Sequence, residues 1–101
     1  MAGRHIDFGR INRAAVSALP LLLGRWQLRG RWHSHGREFV ALNPTRPDRT
    51  LGSFSINRDR GIWMDFSTGD GGDLIDLHSY LRGIGKGEAA RELAHMLGVP
   101  T

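Results

Sequence analysis

A chain of 101 residues with a formal net charge of +4 is long enough for one domain with a modest core and too short for two. It has no cysteine, which excludes disulfides and thiolate metal sites, and its longest apolar run, Leu19 to Leu23, contains Pro20 and falls far short of a membrane span. The charge is polarised: residues 1–60 hold eleven arginines against Asp7, Glu38, Asp48 and Asp59, a balance of +7, whereas residues 61–101 hold three cations against six carboxylates, a balance of −3. A basic half of this kind attracts polyanions and favours salt-dependent binding of nucleic acid. Thirteen of the fourteen cations are arginine, which a codon-biased genome also produces without any partner. No charged and apolar leader opens the chain, so export is not expected and a soluble, cytoplasmic domain is.

In chain order, Phe8, Ile11, Ala15 and Leu19 recur at helical spacing behind Asp7, a suitable N-cap, and predict a helix over about 8–18. Pro20 suits the first turn of a shorter helix ending near Gly24. Trp26–Trp32 and Arg37–Leu42 read as strands joined through the polar turn His33-Ser34-His35-Gly36. Ser53–Asn57 and Ile62–Phe66 form a second hairpin, with Gly61 placed where a bulged turn needs a positive φ. Alternation puts Ile62, Met64 and Phe66 on one face and Trp63 with Asp65 on the other, and Trp63 is expected on the exposed side. After Gly71-Gly72, the stripe Leu74, Leu77, His78 and Leu81 predicts a helix capped by Asp73. Ala89, Ala90, Leu93, Met96 and Leu97 predict a last helix stopped by Gly98 and Pro100. The fold class is α+β: residues 1–101 as a single domain, a helical arm over about 8–24, a central antiparallel sheet over about 26–66, and C-terminal helices over about 73–97.

One stretch carries a resemblance. Asn43-Pro44-Thr45-Arg46, then Asp48-Arg49-Thr50, Gly52-Ser53-Phe54-Ser55-Ile56, and Trp63 through Asp73 follow one another in a particular order. That order is similar to the N-terminal zinc ribbon of bacterial and phage DNA primases. There a Cys-Pro-x-His knuckle, a basic turn, a Pro-Ser-Phe-Ser-Val strand and an aromatic-x-Cys-Phe-x-Cys-Gly-x-Gly-Gly segment precede a helix. The flanks Gly36-Arg37-Glu38-Phe39 and Glu88 through Ala94 extend the resemblance, with about one residue inserted near Leu51. It implies a zinc-ribbon-like domain of a replication protein, usually placed before a Toprim-type catalytic core.

The ligand positions of that family fall on Asn43, Arg46, Asp65 and Thr68, none of them cysteine or histidine. A tetrahedral structural zinc needs four N, S or carboxylate donors, so no zinc and no other cofactor is expected. Structural zinc contributes about 10–16 kcal/mol to folding in small zinc domains, and its loss must be offset elsewhere. An ion pair between Arg46 and Asp65 across the two knuckles is one candidate, worth about 0–1 kcal/mol if exposed. The larger share is assigned to burial of Phe39, Val40, Leu42, Phe54, Ile56, Ile62, Phe66 and the apolar faces of the flanking helices, with Phe66 as a plug between former ligand positions, at about 1.5–3 kcal/mol per fully buried large side chain.

Other chemistry is less well supported. His33 and His35 offer two metal ligands in one turn but lack a spaced partner motif. Asp70, Asp73 and Asp76 surround a Gly-Gly step and suggest either magnesium binding or helix capping. Gly69-Asp70-Gly71-Gly72 has an anion-binding shape before a helix but no following lysine and hydroxyl. His78 lies on the apolar stripe as a packed residue. No catalytic constellation can be assembled, and the chain is read as a non-catalytic accessory domain.

What remains is a sheet carrying cations interleaved with aromatics: Arg29, Arg31, Trp32, Arg37, Arg49, Arg58, Arg60 and Trp63. Single-strand binders combine backbone-tracking charge with aromatic platforms for bases. The resemblance implies basic residues at Arg29, Arg37 and Arg49. The expected function is binding of single-stranded DNA or primer–template in DNA replication, as part of or partner to a primase encoded by a bacterium, phage, plasmid or other mobile element. The alternatives are an adaptor that docks a primase, polymerase or helicase through its helices and an acidic face over residues 65–92, and a nucleotide-handling enzyme using the aspartates near Gly71.

Overall fold

The computed structural model describes residues 5–101, in which two helices precede and two follow a five-stranded sheet. Helix α1 (Phe8–Ser17) is capped by Asp7, whose side chain accepts from the Arg10 N–H at 3.0 Å, and buries Ile11 and Ala15. Helix α2 (Leu19–Arg25) carries Pro20 in its first turn and buries Leu19, Leu22 and Leu23. Strands β1 (Gly30–His33), β2 (Glu38–Ala41), β3 (Phe54–Asn57), β4 (Ile62–Asp65) and β5 (Asp70–Asp73) follow. They pair in sequence order, every pair antiparallel. Helices α3 (Leu74–Arg82) and α4 (Lys86–Leu97) close the fold, each ended by a left-handed glycine, Gly83 and Gly98. This is the expected α+β class.

Two boundaries differ from expectation, for local reasons. Residues 26–29 are not strand. Trp26 caps α2, Gln27 adopts φ 57°, and the N–H groups of Gln27 and Leu28 donate to the carbonyls of Gly24 and Leu23 at 3.1 Å. This is the hydrogen-bond pattern of a Schellman stop, which the sequence hides because glutamine occupies the position usually held by glycine. At the other edge the sheet extends to Asp73, because Asp70-Gly71-Gly72-Asp73 pairs with β4 as a fifth strand.

That strand also removes the anion-binding reading of the glycine segment. A Cβ on Gly71 would lie 2.9 Å from the Trp63 carbonyl oxygen, and one on Gly72 would overlap the Asp76 side chain. The glycines therefore permit close strand pairing and a capping box, in which Asp73 accepts from the Asp76 N–H at 2.8 Å and Asp76 accepts from the Asp73 N–H at 3.0 Å. The Leu74 N–H donates to the Asn12 side chain at 2.8 Å. The start of α3 is thus filled by the protein's own acceptors. Gly61, at φ 63°, lets the β3–β4 turn approach Val16 of α1.

Strand register divides the sheet into two faces. Inward lie the cross-strand rows Ala41, Phe54 and Asp65, and Phe39, Ile56 and Trp63, all buried. They join Ile11, Ala15, Leu19, Leu22, Leu74, Ile75, Leu77, Ala90 and Leu93 in one core. Outward lie Arg31, Val40, Ser55 and Met64, and His33, Glu38, Asn57 and Ile62, none of them buried. One sheet face is therefore covered by helices and the other is open.

The alternation expected along β4 is correct, but its phase is reversed. Trp63 is 3% exposed and packs on Phe54 and Tyr80, with ring centroids 5.7 and 4.7 Å away. Ile62, Met64 and Phe66 are 36%, 42% and 72% exposed. Ile62 and Phe66 are therefore not core residues, Phe66 is not a plug, and Val40 and Leu42 are only half-buried. Asp65 accounts for the error: a carboxylate normally marks the solvent side, and here it is enclosed. Trp63 buries a larger aromatic surface than any alternative on the strand.

A polar chain ties the helices together. The Trp26 indole N–H donates to His78 Nδ1 at 2.9 Å, and His78 Nε2 meets Glu92 at 2.8 Å. An indole is only a donor, so Nδ1 is the acceptor and the ring proton lies on Nε2, facing Glu92. Arg82 holds the same carboxylate through two bonds of 3.1 Å. The packed reading of His78 agrees with its 3% exposure.

The Arg82 hydrogen bonds, and then that from His78, pull the Glu92 carboxyl down to about 2 against a smaller opposing effect of burial. A depressed acid stabilises the fold above its ordinary range, and this contribution is lost as the pH falls toward about 2. Chemical denaturation in acid should therefore find Glu92→Gln less sensitive than wild type to the fall in pH below the ordinary glutamate range. Equal acid sensitivity would show that this carboxylate does not contribute to the linkage.

Candidate nucleic-acid interface

The four positions that the resemblance implies as zinc ligands lie in two loops, before β3 and after β4, and three of the side chains meet. Asp65, with no exposed surface, accepts from Asn43 Nδ2 at 2.7 Å, from Arg46 Nε at 3.1 Å and Nη2 at 3.3 Å, and from the Ser67 N–H at 2.8 Å. The expected Arg46–Asp65 pair is present, but it is buried on the Asp65 side and only a quarter exposed on the Arg46 side. The estimate for an exposed pair does not apply to it.

Neighbouring groups complete the network. Arg46 also donates to Ser53 Oγ at 2.8 Å and lies 3.4 Å from Asp48, and Asp48 accepts from the Asn43 N–H at 2.8 Å. Asn43 Nδ2 and the Thr45 hydroxyl both reach the Tyr80 hydroxyl at 2.9 Å, which brings α3 into the network. The Thr68 side chain does not reach the Asp65 carboxylate; its hydroxyl accepts from the Asp70 N–H at 3.2 Å and donates to the Asp65 backbone carbonyl at 3.5 Å. Asp48 and Tyr80 were not foreseen. Only the position of Asp48 two residues beyond Arg46 pointed to the former.

This donor set does not fit zinc. A guanidinium has no free lone pair, and the Asn43 amide and Arg46 both direct N–H groups at Asp65. Burial pushes the Asp65 carboxyl up, but the Asn43, Arg46 and Ser67 hydrogen bonds and the Arg46 charge outweigh it and hold it below the usual range. The reciprocal bond raises Arg46 further. No group of three or more His, Cys, Asp or Glu placed to hold a metal ion occurs among the described residues.

The cations fall into two sets at opposite ends of the strands. Arg29, Arg31 and Arg49, all exposed, surround a groove of about 270 Å³ floored by Leu42 and Leu51, which runs on past His33 and Val40. Arg37, Arg58 and Arg60 sit at the turn end: Arg37 is 3.8 Å from Asp59, and Arg58 donates its N–H to the Arg37 carbonyl at 2.8 Å. Of these six, Arg37 alone has an ion pair among the described residues.

Neither tryptophan is a free platform. Trp32 is half-buried, edge-on to Phe39 with centroids 5.2 Å apart, and Arg58 lies over its ring at 5.3 Å. Trp63 is in the core, and its indole nitrogen has no hydrogen-bond partner among the described residues. The open face instead presents Ile62, Met64 and Phe66, which the reversed phase of β4 concealed.

This arrangement of sheet and helices is shared with a solved structure. A crystal structure of the Aquifex aeolicus primase, containing its zinc-binding and RNA polymerase domains, superposes with a TM-score of 0.70 at 27% identity. The match covers 94% of this chain and 22% of that one. The chain is primase-like. No protein-family model matches the chain, nor does any curated protein sequence. The primase-like domain has no cysteine, and no helix among its described residues is long and apolar enough to cross a membrane.

Arg46→Ala should destabilise the domain more than Asp65→Ala, because the first leaves a fully enclosed carboxylate without a counter-charge, whereas after the second Arg46 keeps Asp48 at 3.4 Å. Thermal or denaturant unfolding of the double variant should fall short of the summed losses by about 0.5–3 kcal/mol. Additive losses would leave the two residues uncoupled.

Proposed function

We propose that this primase-like domain engages single-stranded DNA or primer–template as the nucleic-acid-binding module of a replication protein, without zinc and without catalysis of its own. The observation that carries the reading is the convergence of Arg29, Arg31 and Arg49 on one groove beside an open sheet face, free of ion pairs among the described residues. Guanidinium groups not committed to internal partners are available to phosphates, and a shallow apolar floor leaves room for the sugar–phosphate backbone. Likeness to a primase supports a role in replication.

The carboxylates do not favour the alternatives. Asp65 is held by Arg46, Asp73 and Asp76 lie 3.6 and 3.2 Å from Lys86, and Glu92 is held by Arg82. Four of the six carboxylates of the acidic face on which the adaptor reading drew are thus engaged by cations of the fold, whereas Asp70 and Glu88 have no ion pair among the described residues. Asp73 and Asp76 form the capping box and lie near Lys86, and Asp70 lies in the edge strand, none of which supports the nucleotide-handling reading.

Fluorescence anisotropy with labelled single-stranded DNA at two salt concentrations tests the proposal. Binding should weaken steeply with salt, and Arg29→Ala, Arg31→Ala and Arg49→Ala together should reduce the log–log salt slope by about 2. Absence of binding at low salt would overturn the reading. A chelator should leave the melting curve unchanged, and a lowered melting temperature would overturn the zinc-free part.

A further inference from the structure

The outer sheet face contains a feature that the arginine groove does not explain. A hollow of about 180 Å³ is lined by the outward side chains of Glu38, Ser55, Asn57, Ile62, Met64 and Phe66. Glu38, Asn57 and Ile62 are cross-strand neighbours in one row, and Ser55 and Met64 are neighbours in the next. Phe66, just past β4, is 72% exposed, and its N–H donates to the Ser53 carbonyl at 2.9 Å, so its backbone is anchored while its ring is free. The hollow thus has apolar surface on one side and hydrogen-bonding groups on the other.

Glu38 gives the hollow its chemistry. It forms no ion pair among the described residues, although it faces His33 across β1–β2, and its carboxylate has no hydrogen-bond partner in the sheet. A carboxylate on a surface that tracks phosphates would be repelled by them. Opposite the edge of an unpaired base it would instead accept hydrogen bonds. Of the four bases, guanine offers a ring N–H and an amino group side by side, matching both carboxylate oxygens, whereas thymine presents one N–H between two carbonyls.

We propose that this hollow is a base-reading site that stacks an unpaired guanine on Phe66 and Met64 and pairs its Watson–Crick edge with Glu38. Ser55 and Asn57 border the same edge, and the arginine groove holds the flanking phosphates. The site rests on the nucleic-acid reading above and adds to it a preferred base.

The test compares labelled oligothymidylate with the same strand carrying one central guanine. Wild type should bind the guanine strand about tenfold more tightly. Glu38→Gln should abolish that preference without weakening oligothymidylate binding, since it removes a charge that repels phosphates, and Phe66→Ala, an exposed position that the fold tolerates, should weaken both strands roughly fivefold or more. Equal affinity for the two strands, or a guanine preference that survives Glu38→Gln, would overturn the base-reading site while salt-dependent binding leaves the broader reading intact. Failure to bind either strand at low salt would overturn both.

Discussion

The structure depends on a single enclosed carboxylate. Asp65 ends β4, accepts from side chains of the preceding loop and from the backbone of its own turn, and receives the Thr68 and Gly69 N–H groups on its carbonyl at 3.2 and 2.8 Å. It therefore joins the loop before β3 to the turn before β5, and through Asn43 and Tyr80 it joins both to α3. A metal ion in a ribbon makes the same connection by coordination. Here it is made by hydrogen bonds, which demand direction as well as distance, so the side chains of Asn43 and Arg46 are fixed narrowly in orientation.

Such a network specifies geometry more than it supplies stability. Placing charges away from water is costly, and a buried pair often does no more than match well-packed apolar residues of the same shape. The stabilising free energy lies instead in the core that the helices complete, where Phe54, Ile56 and Trp63 meet Leu74, Ile75, Leu77 and Leu93. This division separates two tasks: the inward rows hold the fold, and the outward rows are left free to carry polar and cationic groups.

Much of this was legible from residue types. The helices, the two hairpins, the capping aspartate of α3 and the Arg46–Asp65 pairing follow from periodicity, turn chemistry and charge. The errors share one physical cause, that local signals rank below tertiary satisfaction. Gln27 takes a glycine's conformation because the Trp26–His78 bond and the α2 stop hold it there. Asp70–Asp73 looks like a loop because its glycines have low strand propensity, yet they are what lets it lie against Trp63. Asp65 reads as a surface residue until its donors are counted. The resemblance already contained the correction, since a residue pointing toward Asn43 and Arg46 must point inward, and Trp63 two positions earlier must then do the same.

The groove arginines have a second consequence. Strand β1 is an edge of the sheet, with one row of backbone groups unpaired by any other strand, and an exposed edge invites pairing with another chain. Arg29 and Arg31 place two fixed positive charges along that edge, so a second copy approaching it in register meets like charge before any backbone bond can form. The residues that make this surface attractive to a polyanion also make the β1 edge repellent to a second β1 edge.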